Sequence, residues 1–277
     1  MSSECNHDCS HCSQSEGCES KPIEKLKMKE GSSAKKIIGI VSGKGGVGKS
    51  FTTSYLAVLL ARQGYRVGIL DADITGPSIP FAFGIKGKAL GSDEGIFPQV
   101  SMGGIKVISS NMFLDNDNDP IIWRGPMIGS LVEQFYTDVL WEELDYLLID
   151  MPPGTGDVAL TTFQKIPLDA LVLVSSPQGL VKLIVEKAAK MAQLMNIKIS
   201  ALVTNMSYVL CPKCKERIDI FGKNLSKEIA KEYDIKTVAE VPFSSEISES
   251  VEEGLIEKLD VNYLDEVKDT LMELLDD

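Results

Sequence analysis

Residues 42–50 read SGKGGVGKS, and no other stretch narrows the possible folds as far. The pattern G-x-x-x-x-G-K-[ST] is met by Gly43, Gly48, Lys49 and Ser50. It works only between a strand and a helix. Residues 36–42, KIIGIVS, are apolar enough for a buried strand, and 49–63 carry helical spacing up to Gly64. In that setting glycines let successive backbone N–H groups turn inward, and the helix N-terminus favours a phosphate. The expected cradle runs from Gly43 through Gly45, Gly46, Val47 and Gly48 to Lys49, Ser50 and Phe51. Lys49 would reach the β- and γ-phosphates of ATP, and the Ser50 hydroxyl would hold Mg²⁺.

The rest of the chain supplies the fold this motif requires. Apolar runs recur at 65–71, 105–110, 146–150, 170–176, 200–205 and 237–241. Most are apolar on both faces, as strands covered on both sides must be. Between them, 127–138, 181–195, 223–233 and 264–275 have helical spacing. Alternation with crossovers of this length predicts an α/β, doubly wound, mainly parallel sheet. Residues 1–35 read differently. They hold Cys, Ser, Glu and Lys, lack β-branched runs and end in a Gly-Ser linker. A flexible Cys-rich tail at 1–35 and an ATPase domain at 36–277 are therefore expected.

Three further stretches carry site candidates. DADITGPS follows the second run, so its acids stand at a strand's C-terminal end, beside the phosphates of an open sheet. Asp73 could orient an attacking water and Asp71 support Mg²⁺ through water; capping a turn is the plainer role for either. In YLLIDMPPGTGD an apolar strand ends in Asp150, the arrangement that binds Mg²⁺ directly or through water. Asn205 closes the sixth run. Its amide can donate to and accept from an adenine edge, or simply end a strand.

The six cysteines fall in two groups, Cys5, Cys9, Cys12 and Cys18, then Cys211 and Cys214. Such clustering points to metal before disulfide. CPKC supplies two thiolates, whereas zinc or an iron–sulfur cluster takes four. A second copy of the chain would complete the set across a two-fold axis; a redox dithiol is the alternative. The tail's four thiols suffice for one [4Fe–4S] cluster, with zinc bound by Cys and by His7 or His11 as the alternative.

Net charge of −12 opposes attraction to nucleic acid and to anionic lipid. No apolar run reaches the roughly 18 residues of a membrane span, and the first 30 residues lack a signal-like apolar stretch. A cytoplasmic location is expected, with no membrane or nucleic-acid partner.

One lysine exceeds what the phosphate loop needs. Lys44 has no role toward its own nucleotide, because Lys49 fills that place. It is either a solvated lysine or a cation reaching a second subunit's phosphates. The string KGGVGKS resembles the deviant Walker A motif of the MinD/Mrp class of P-loop ATPases, in which that lysine acts in trans. With DADITGPSIP, WRGPM, DMPPGTGD, VSSPQ, NMSY and CPKC, the chain resembles the Mrp (ApbC-like) family of iron–sulfur cluster carrier ATPases. The spacing of Cys9, Cys12 and Cys18 is similar to the tail cluster site of the eukaryotic cytosolic scaffold branch, and Cys5 departs from it. The resemblance implies a homodimer, a [4Fe–4S] cluster between the C-x-x-C pairs, slow ATP hydrolysis and delivery to apo iron–sulfur proteins. A MinD/ParA-like spatial-organising ATPase is the alternative. Such a protein needs a basic tail, and the terminal LDEVKDTLMELLDD has six acids and one lysine.

Overall fold

The computed structural model describes residues 24–276 apart from 75, 77, 114–124, 155–163, 178–180 and 223. The chain starts its folded part with β1 (Ser33–Ser42), then α1 (Lys49–Arg62), β2 (Val67–Asp71) and α2 (Ile79–Ala82). Three short strands follow, β3 (Leu90–Ser92), β4 (Gly95–Phe97) and β5 (Gln99–Val100), then β6 (Lys106–Ile108), α3 (Gly125–Thr137) and β7 (Glu143–Asp150). Next come β8 (Ala170–Ser175), α4 (Val181–Leu194), β9 (Lys198–Thr204) and a hairpin of β10 (Val209–Leu210) and β11 (Arg217–Ile218). The described chain ends with α5 (Ser226–Glu232), β12 (Thr237–Glu240), α6 (Ser245–Glu252) and α7 (Asp265–Asp276).

Eight strands form one sheet in the order β12-β9-β8-β1-β7-β2-β6-β5. Every neighbouring pair is parallel except β5 with β6, which is antiparallel. The doubly wound sheet expected from the sequence is present, with every apolar run in it. Its central strands are buried on both faces, β2 along its whole length, which requires helices on each side. α1 and α7 pack together and against the sheet, and α4 and α5 form the other layer along β8 and β9. β1, the strand before the phosphate loop, lies between β7 and β8. Strand order reverses there, so a crevice opens at the strands' C-terminal ends.

The linker is shorter at its folded end than expected. β1 begins at Ser33, Leu26 N–H donates to Lys165 O at 2.8 Å, and Leu26 and Met28 pack on the core. Apolar side chains spaced among the lysines draw this stretch down onto the domain. Residues 1–23, with Cys5, Cys9, Cys12 and Cys18, lie outside the described residues.

Trp141 anchors the core beside β2. It is fully buried, and its Nε1–H donates to Phe135 O at 3.0 Å. Only a glycine fits opposite, since a Cβ on Gly68 would stand 3.0 Å from the indole and 2.6 Å from Leu144. Trp141→Ala is expected to cost about 3–5 kcal/mol through cavity formation and the lost indole partner. Urea unfolding at constant m-value checks this, and a change under about 1 kcal/mol would contradict the packing account.

Candidate functional site

The phosphate loop leaves β1 at Ser42, whose hydroxyl donates to Lys44 O at 3.0 Å. Gly46 and Gly48 have φ of 73° and 81°, which side-chain-bearing residues rarely adopt. Gly48 is required twice over, because a Cβ there would collide with Asn205 Nδ2. It stands immediately before α1, whose N-terminus has no side-chain cap and no acid in its first turn. A helix start left open in this way offers its amides to an anion. Lys44 is partly buried within the loop.

Three carboxylates converge behind the loop, because the β2–β7 register sets Asp71 beside Asp150. Lys49 is 5% exposed, with Nζ 2.7 Å from Asp150 Oδ2 and 3.6 Å from Asp73 Oδ2. Neither contact is aligned as a hydrogen bond, so this buried ammonium retains donors for a further acceptor. That is the chemistry a phosphate satisfies. Asp150 is wholly buried. Its Oδ2 accepts from Ser50 Oγ at 2.7 Å and its Oδ1 from Thr53 Oγ1 at 2.6 Å. Asp71 accepts from Ser109 Oγ at 2.9 Å and from Asp73 N–H at 3.1 Å. Burial, then the charge of Asp150, push the Asp71 carboxyl well above the usual carboxylate range. A divalent cation between phosphate, Ser50 and these acids would relieve that repulsion. Although these acids lie close together, among the described residues no group of three or more His, Cys, Asp or Glu side chains is arranged to hold a metal ion by itself. The site thus suits Mg²⁺, which binds through one or two protein groups plus substrate phosphates.

Two hydroxyls here escaped the sequence reading. Ser109 is the first of the two serines that close the KVISS run. Thr53 lies four residues after Lys49, on the same face of α1, and that spacing was its available signal. Thr53→Val is expected to weaken Mg²⁺-dependent nucleotide binding about tenfold by freeing Asp150, with Thr53→Ser restoring it. ADP titration with and without Mg²⁺ checks this; equal values for all three proteins would remove the role.

Asn205 is buried against the loop itself, its Nδ2 donating to Val47 O at 3.0 Å. Gly154, after the Asp150 strand, donates its N–H to Ser42 O at 2.8 Å. Residues 155–157 of the following turn lie outside the described residues, as do Trp123, Arg124 and Gln178.

Cys211 and Cys214 occupy the tip between β10 and β11. Cys211 is partly buried and Cys214 exposed, both as free thiols. Cys211 N–H donates to Glu216 O and Lys215 N–H to Cys211 O, each at 2.9 Å. The backbone N–H groups of Cys214 and Lys213, then the Cys214 thiol, lower the Cys211 thiol pKa. Amides aimed at sulfur stabilise the thiolate, which is the form that binds metal. The tip therefore fits a metal but supplies only half of a four-thiolate set.

A family model described as ParA, "NUBPL iron-transfer P-loop NTPase", matches residues 33–275. This chain belongs to that family. An iron–sulfur cluster carrier protein of Clostridium perfringens is 44% identical over 258 residues, 90% of each chain. One from Methanocaldococcus jannaschii is 41% identical over 259 residues, covering 91% of this chain and 89% of its own. Among solved structures, a nucleotide-binding protein of Archaeoglobus fulgidus in complex with ADP is similar at TM-score 0.75 and 42% identity. That match covers 83% of this chain and 91% of the other. The Pyrococcus furiosus cell division ATPase MinD matches at TM-score 0.60 and 17% identity over 87% of this chain and 99% of its own. This last likeness concerns the fold alone. As an iron-transfer P-loop NTPase the chain has its nucleotide loop and its paired thiols at the same end of one sheet.

Proposed function

We propose that this protein is an ATP-hydrolysing iron–sulfur cluster carrier that works as a homodimer. Cys211 and Cys214 of two copies would hold one [4Fe–4S] cluster between them and release it to apo iron–sulfur proteins. The observation that carries this reading is a hairpin that presents two free thiols at its tip, in a chain with a phosphate loop. Exposed apolar side chains flank the thiols, with Ile218 at 48%, Ile220 at 50% and Phe221 at 42%. Apolar surface of this kind favours a protein–protein contact. The cluster is cargo here, and zinc is its alternative occupant. A second site on Cys5, Cys9, Cys12 and Cys18 belongs to the same proposal.

At the nucleotide, loop amides from Gly43 to Phe51 and Lys49 would bind the phosphates of ATP. Ser50, Asp71 and Asp150 would hold Mg²⁺, which when bound neutralises charge on the phosphate oxygens. Asp73 would orient the attacking water. Asn205, with one donor committed to Val47, offers its oxygen and remaining N–H to the adenine. Lys44 would cross to the partner's phosphates, which makes hydrolysis a property of the pair. The described residues contain no helix long and apolar enough to cross a membrane. The apolar residues Val267, Leu271 and Leu274 of α7 are buried in the core, so that helix lacks a face for lipid. This supports action in the cytoplasm, without membrane or nucleic acid as partner.

Anaerobic reconstitution with iron and sulfide tests the reading. We expect a brown protein with one [4Fe–4S] cluster per two chains at the hairpin site, transferable to an apo acceptor. Protein that takes up only zinc, or holds iron as a strict monomer, would overturn it.

A further inference from the structure

Asn205 and Cys211 are six residues apart, and the chain between them is tied down at both ends and in the middle. At the loop end, Asn205 grips Val47 O and fills the space above Gly48. Its own N–H donates to Ser175 O at 2.8 Å. A loop that shifts at Val47 and Gly48 therefore cannot leave Asn205 in place, because two packed groups share one volume. Met206 comes next at φ 54°. A side-chain-bearing residue keeps this left-handed conformation only where its surroundings impose it. Here they do: Ser207 N–H and Oγ both donate to Val241 O, at 2.9 and 3.1 Å, and Phe243 N–H donates to Tyr208 O at 2.8 Å.

At the far end the strand pairing of the hairpin is joined to the sheet by a side chain. Arg217 of β11 lays its guanidinium over the Tyr208 ring, 4.2 Å from the centroid. The same group reaches Asp219 Oδ1 at 2.8 Å and Glu240 Oε2, on β12, at 2.6 Å. Residues 212–221 are otherwise exposed, so the stack and these pairs set where the thiol tip stands.

We propose that residues 205–211 act as a strut joining the phosphate loop to the thiol hairpin, with Asn205 and Arg217 as its positioning residues. Nucleotide in the loop then changes the reactivity and metal affinity of Cys211 and Cys214, and metal on the thiols changes nucleotide affinity by the same factor. The biological meaning rests on the carrier reading above, but the coupling belongs to the metal-free chain as well.

Iodoacetamide labelling of Cys211 and Cys214, resolved by peptide mass spectrometry, measures it in the metal-free full-length chain. Saturating Mg·ADP orders the loop and is expected to slow labelling about fivefold. Arg217→Ala should bind ADP within about twofold of wild type yet shrink the nucleotide effect below about 1.5-fold. Met206→Gly, a change between the two sites in the chain, should at least halve the effect by loosening the strut while basal labelling stays unchanged. An unchanged rate in wild type overturns the proposal. So does a full nucleotide effect in both variants, or a slowing that grows with protein concentration and so reports association. Iron uptake is measured in parallel. Loss of iron with the nucleotide effect intact removes the carrier reading alone, and the reverse result removes the strut alone.

Discussion

Replacing Lys49 with Ala is expected to lower phosphate release by about 100- to 1,000-fold, the cost of deleting one preorganised charge from a reaction centre. The reason lies in the local charge balance. Lys49 is the ammonium that faces Asp73 and Asp150 from within the loop, at 3.6 and 2.7 Å. Without it an incoming phosphate meets Asp71, Asp73 and Asp150 with no buried cation to answer them, so binding fails before hydrolysis begins. ADP affinity should fall together with the rate. Lys44→Ala should behave otherwise. In the proposed dimer Lys44 would serve the partner's phosphates, so removing it should leave ADP affinity near wild type and reduce turnover only. Phosphate release and ADP titration on wild type and both variants separate the roles. Equal turnover in all three proteins would show that neither lysine does what is assigned to it.

The second large effect concerns the hairpin. Cys211→Ser with Cys214→Ser should abolish iron and acid-labile sulfide at the shared site. In the proposed carrier two of four thiolates would come from each copy, so the double substitution removes every thiolate from the shared site. ADP affinity should stay within about twofold, because serine keeps the hairpin backbone and leaves the Asn205 and Arg217 contacts in place. Measurement in chains with and without residues 1–23 distinguishes this site from the tail's four cysteines. Full iron retention in the truncated double variant would require a different metal site altogether.

Much of this architecture was legible in the sequence. Strands covered on both faces must be apolar throughout, so 65–71 and 146–150 declared themselves, with boundaries shifted by two or three residues. The phosphate loop was equally plain, since glycines at fixed offsets before G-K-S answer to backbone geometry. Elements without periodicity were not legible. β3, β4 and β5 have only two or three residues each, and no alternation pattern develops over so short a length. α6, with Ile247 as its buried residue, carries too narrow an apolar stripe to stand out.

Residue roles divide along the same physical line. Sequence alone determined the fold class and the glycine pattern of the loop, and put Cys211 near Cys214, because each is read from residue types and spacing along the chain. Tertiary structure alone decided that Thr53 and Ser50 share the two oxygens of Asp150, that Ser109 serves Asp71, and that Asn205 braces Val47. Those partners are 97, 100, 38 and 158 residues apart. Only the stacking of parallel strands, which brings every C-terminal strand end to one edge of the sheet, places them within hydrogen-bonding reach.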